Sequence, residues 1–137
     1  MQSLETLLRV GGLLHFGILL ASAMVPQVLD WRAELSRVSP FTRRLVWVHG
    51  AFIVLTIVGF GVLSLAHAES LASGAPLARS CCVFVALFWS ARLGVQAFVF
   101  DAGPVLTTAL LKFGYHGLTA VFAYFAIIYG WAALATH

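Results

Sequence analysis

Residues 45–66 read LVWVHGAFIVLTIVGFGVLSLA, a run of 22 residues without Asp, Glu, Lys or Arg. A helix needs about 20 apolar residues to cross the hydrocarbon core of a bilayer. This run therefore predicts a membrane-spanning helix. Three further windows have nearly the same apolar character, at residues 7–29, 80–100 and 113–133. Because the connections are short, the sequence predicts an all-α protein, a single domain over 1–137 that forms an up-down-up-down bundle of four transmembrane helices.

The composition supports a membrane protein over a water-soluble one. Hydrophobic residues make up 61% of the chain and charged residues 9%, against roughly 45–50% and about 25% in an ordinary globular protein. The mean hydropathy is +0.98. The net charge of +3 comes without the clustered basic surface that nucleic-acid binding requires. The expected partner is the lipid bilayer, with no nucleic acid.

The distribution of arginine predicts how the bundle is oriented. The first loop is the most basic segment and carries Arg32, Arg37, Arg43 and Arg44. Because basic loops are retained in the cytoplasm, we expect this loop to be cytoplasmic and both termini to lie outside, in an integral membrane protein of a bacterial inner membrane. Gly and Ala recur along the apolar segments and are typical of helix contact faces. They leave open whether the chain acts alone, as a homo-oligomer or in a larger membrane complex.

The third apolar segment carries an arginine well inside the membrane. Arg92 lies about 12 Å along the helix from Asp101, and the five carboxylates of the chain all lie in loops or at helix ends. An ionisable residue in hydrocarbon costs about 2.5–3.5 kcal/mol, which makes it a functional candidate. Trp89, Arg92 and Gln96 are spaced by three and four residues, so they predict one polar, aromatic face directed into the bundle. Arg92 would bind an anion there, or would bond only to carbonyls and loop acids.

Two histidines follow a basic residue at the start of the second and fourth segments. His49 comes after Arg44, and His116 after Lys112. If both helices run outward, the imidazoles lie at similar depth, an arrangement that favours two axial ligands of haem b on facing helices. The alternative is that each histidine only donates a hydrogen bond to a neighbouring helix.

His15, in the first segment, is the remaining histidine within an apolar window. This segment ends at Pro26, and the second segment begins at Arg43-Arg44-Leu45. In these features the first half of the chain resembles the small haem-containing protoporphyrinogen oxidases of bacterial membranes. The resemblance covers the first two segments. The third differs, with Arg92 in place of a lysine near the helix start, so the resemblance implies haem association at His15 and not the oxidase activity. Apart from this resemblance, the position of His15 is compatible with a second site, a proton path or a packing role.

These patterns predict a small membrane protein that binds haem b or a comparable redox ligand, with electron transfer or an oxidoreductase activity as its use. Its candidate site consists of His49 and His116 as metal ligands, with Arg92, His15, Trp89 and Gln96 around the cofactor. The alternative function is a non-catalytic membrane subunit or lipid-binding scaffold. A transporter is a weaker alternative, since no acid lies in the membrane interior. No hydrolase motif such as G-x-S-x-G or H-E-x-x-H occurs.

Overall fold

The computed structural model describes residues 2–99 and 108–135 and is helical almost throughout these ranges. Its four long helices are α1 (Gln2–Val28), α3 (Pro40–Ala66), α5 (Pro76–Phe98) and α6 (Ala109–Leu134). Each is long and apolar enough to cross a membrane. The predicted all-α fold with four spans is confirmed, and the protein is an integral membrane protein.

The four long helices begin four or five residues before the apolar windows do, and α3 and α6 start at residues with a capping side chain. Ser39 caps α3 by accepting a hydrogen bond from the Thr42 amide at 3.2 Å, and Pro40 follows at the first helical position. Thr108 caps α6 in the same way through the Leu111 amide. The sequence Asp101-Ala102-Gly103-Pro104 predicts a turn before the fourth helix, and it lies outside the described residues.

Two of the connections between the long helices contain short helices themselves. The first has α2 (Trp31–Glu34) and a 3-10 turn at Leu35–Arg37, and the second has α4 (Ala68–Ala72). We call the membrane side on which α2 lies the α2 end, and the other side the α4 end.

The long helices pack as two antiparallel pairs, α1 with α3 and α5 with α6. Close approach in the first pair depends on two glycines. A Cβ added to Gly12 would lie 2.8 Å from Cγ of Leu65 and 3.1 Å from the carbonyl oxygen of Gly61, and one added to Gly61 would lie 2.7 Å from the Phe16 ring. Side-chain hydrogen bonds join the two pairs, from Tyr124 to the Leu7 carbonyl and between Ser64 and Tyr129.

The buried core occupies the middle of the bundle and its α4 end. Within the described residues, no side chain is fully buried in the first 17 residues of α3, and none in α6 before Phe122. Cys82, at the α4 end, is a buried free thiol that contacts the Leu71 carbonyl, and Cys81 is also free. The α2-end halves of α3 and α6 therefore contribute no buried side chain to the core.

Candidate functional site

His15 and Trp89 form a hydrogen bond across the centre of the bundle. Trp89 on α5 donates its indole N–H to Nε2 of His15 on α1, at 2.9 Å. The other ring nitrogen, Nδ1, lies 2.7 Å from the carbonyl oxygen of Gly11. Because a carbonyl only accepts, Nδ1 carries the proton and Nε2 is the acceptor, so His15 is a neutral imidazole with both nitrogens bonded.

Four aromatic rings contact this histidine. The Phe125 ring stacks on it with centroids 4.1 Å apart, and Phe60 and Tyr129 approach edge-on. His15 has no exposed surface. Iron could bind Nε2 only if the bond to Trp89 broke and the rings separated, so this geometry suits a packing and hydrogen-bonding role.

The predicted inward face of α5 is present in the structure. Trp89 and Gln96 are buried, and Arg92 is partly buried. Gln96 bonds to α6, where its amide donates to the Tyr115 carbonyl and to the Thr119 hydroxyl. The Tyr115 hydroxyl in turn donates a hydrogen bond to the backbone carbonyl of Gln96, at 2.9 Å. The Arg92 guanidinium lies 5.3 Å from the centre of the Phe122 ring, a cation–π contact. This face binds α5 to α6.

His49 and His116 both lie on the outside of the bundle. Each is exposed, His49 on α3 and His116 on α6. These two helices are joined by the Ser64–Tyr129 bond at the α4 end and do not pack along their length. The structure therefore does not bring the two imidazoles onto facing surfaces of one closed bundle. Nδ1 of His49 lies 2.8 Å from the Leu45 carbonyl, so this nitrogen is the donor and Nε2 keeps its lone pair.

A shallow, open groove lies at the α2 end, between α2 and the first four turns of α3, and we call it the α2 groove. Its basic compartment has a volume of about 360 Å³ and is lined by Trp31, Arg32, Leu35, Ser36, Arg43 and Trp47. Its apolar compartment has a volume of about 390 Å³ and is lined by Trp31, Leu45, Val46, His49, Gly50 and Ile53. The two compartments share Trp31.

The backbone around Asp30 and the side chain of Arg43 position the walls of this groove. Asp30 has φ 50° and ψ 56°, a left-handed conformation that turns the chain sharply out of α1. Trp31 follows and packs edge-on against Trp47, with ring centroids 5.1 Å apart. Arg43 donates from Nε to the Leu35 carbonyl at 2.9 Å and lies 3.5 Å from the Val38 carbonyl, which fixes the 3-10 turn beside the groove.

The sequence analysis did not propose this groove as a site. It assigned Arg32 only to the basic first loop. A usable signal was the recurrence of arginine with tryptophan on both sides of the first loop, at 31–32 and at 43–47. The turn at Asp30, which brings these residues together, has no comparable signal.

The comparisons with known proteins add no family to this description. No family model, no curated protein and no solved structure matches the chain. In the part of the chain that the structure describes, no three or more His, Cys, Asp or Glu side chains are grouped to hold a metal ion. The resemblance to haem-containing oxidases and the binding of haem b stay predictions.

Proposed function

We propose that the protein binds an anionic amphiphile in the α2 groove, which makes it a membrane-embedded binding protein or scaffold. The observation that carries this proposal is that a basic compartment and an apolar compartment adjoin at one side chain, Trp31. A ligand with a charged group and a hydrocarbon part matches both compartments at once.

The position of the groove at the end of the spans supports the same ligand class. Tryptophan is enriched at membrane–water interfaces, and Trp31 and Trp47 stand together here. Segment 30–44 contains four arginines against two carboxylates. An anionic group at this level is attracted, while its hydrocarbon part stays in the membrane.

Haem b is a second candidate for the same groove, because it too is an anionic amphiphile. His49 lines the apolar compartment with Nε2 as its free acceptor and Nδ1 bonded to a carbonyl. Metal-ligating histidines usually donate their second nitrogen in this way. Arg32 would then meet a propionate. The iron would supply redox chemistry when bound.

Binding of an anionic amphiphile is tested by thermal unfolding of the detergent-purified chain with added phosphatidylglycerol, haem or phosphatidylcholine. At about 100 times its dissociation constant a ligand stabilises by about 2.7 kcal/mol. We expect at least one anionic compound to raise the unfolding midpoint of the wild type and of Arg44→Gln, and to raise that of Arg32→Gln much less. Arg44 is the matched control because it is exposed and outside the groove. The proposal would be contradicted if phosphatidylcholine raised the unfolding midpoint as much as the anionic compounds do. It would also be contradicted if Arg32→Gln and Arg44→Gln lost the ligand-induced rise equally.

Absorption spectra of the oxidised and reduced protein, purified after expression with ample haem, test the haem candidate. A Soret band that is lost in His49→Ala and kept in His116→Ala would place haem in the α2 groove. Loss in both variants would support the predicted pair of axial ligands instead. A colourless protein would exclude haem b.

A further inference from the structure

We infer that the occupant of the α2 groove is an anionic phospholipid of the surrounding leaflet, with its phosphate at Arg32 and an acyl chain beside Gly50. This inference rests on the proposed function and names the ligand class for the same groove.

The charge of the headgroup follows from the arginines that are open to a ligand. Arg43 directs Nε and Nη2 to backbone carbonyls of the 3-10 turn and so serves as a positioning residue. Arg37 lies 3.8 Å from Glu34, and both are exposed. Arg32 is exposed and lines the basic compartment. It is therefore the residue placed to meet a phosphate, for which the guanidinium is well suited.

The hydrocarbon part follows from the shape and position of the apolar compartment. Its lining is aliphatic and aromatic apart from His49, and it extends along α3 from Leu45 to Ile53, away from the headgroup layer. A Cβ added at Gly50 would meet nothing within 4 Å, so the surface there is open. A chain running from the interface toward the membrane centre fits this direction. This direction does not require a rigid planar ligand.

Preferential fluorescence quenching by brominated lipids tests the inference. The full chain is reconstituted in phosphatidylcholine bilayers that contain a small fraction of phosphatidylglycerol or phosphatidylcholine with dibrominated chains. The attraction of one arginine to anionic lipid headgroups is worth about 1 kcal/mol, or about five-fold in affinity. We expect half-quenching by the brominated phosphatidylglycerol at a several-fold lower fraction than by the brominated phosphatidylcholine.

Variants assign the preference to the groove. Trp31→Phe should remove most of the preferentially quenched emission, and Trp131→Phe, on the exposed surface of α6, should leave it in place. Arg32→Gln should abolish the preference for the anionic lipid, whereas Arg44→Gln should keep it. Gly50→Leu should weaken quenching by filling the chain path.

Failure of the phospholipid inference and failure of the proposed function give different results. Equal quenching by both lipids, or a preference that persists in Arg32→Gln, would overturn the phospholipid inference. If haem still stabilised the protein through Arg32 in that case, the proposed function would stand. Absence of any preferential anionic ligand would overturn both.

Discussion

Replacing His15 with phenylalanine is expected to lower the free energy of unfolding by about 1–3 kcal/mol. The phenyl ring keeps the stacking on Phe125 but offers no acceptor to Trp89, whose indole N–H donates to Nε2 at 2.9 Å in a fully buried environment. A buried donor without an acceptor keeps the full cost of its lost hydration. Unfolding can be followed by titration with a denaturing detergent in mixed micelles.

A double-mutant cycle with Trp89→Phe separates the hydrogen bond from ring packing. Interhelical hydrogen bonds in membranes average about 0.6 kcal/mol and reach about 1.7 kcal/mol in such cycles. We expect a coupling energy in this range. Trp131→Phe serves as the control, because Trp131 is about half exposed and belongs to no cross-bundle bond in the described structure. Strictly additive effects of the two core substitutions would show that the bond contributes nothing.

Replacing Gly12 with alanine is expected to destabilise the protein by about 1–3 kcal/mol, the usual cost of an added carbon in a well-packed interface. The new methyl carbon would lie 2.8 Å from Cγ of Leu65 and 3.1 Å from the Gly61 carbonyl oxygen. The second contact is with backbone, so relief requires α1 and α3 to move apart. The same detergent titration measures the loss.

Gly17→Ala is the matched control for this substitution, on the same helix. A Cβ at Gly17 would meet nothing within 4 Å, and alanine has the higher helix propensity. We expect its free energy of unfolding to be unchanged or slightly raised. A similar loss in both variants would mean that the cost arises from helix α1 itself and not from its contact with α3.

The fold could be predicted from the sequence because apolar length alone defines a membrane span. Residues 45–66 and three similar windows were sufficient to predict the number of membrane-spanning helices. The helix starts were displaced by a few residues, since Pro40 and Pro76 are helical but not apolar enough to enter a hydropathy window. The short helices α2 and α4 were missed, because segments of four and five residues have no readable periodicity.

The candidate site could be predicted only in part. The spacing of Trp89, Arg92 and Gln96 correctly indicated one inward face, because helical periodicity fixes which residues share a side. The pairing of His49 with His116 relied on depth alone, and depth does not specify the direction of a side chain around the helix axis. The bond between His15 and Trp89 joins residues 74 positions apart, and no local pattern encodes such a contact.

The uneven core has a consequence for motion within the membrane. Local opening requires least free energy where few apolar side chains are buried, and the described α2-end half of α3 buries none. The backbone amides of this half should therefore exchange hydrogen sooner than those beside His15 and Tyr129. A ligand held in the α2 groove would slow that exchange on α3 and leave the α4 end unchanged. The hydrogen-exchange rates of α3 would then report whether the groove is occupied.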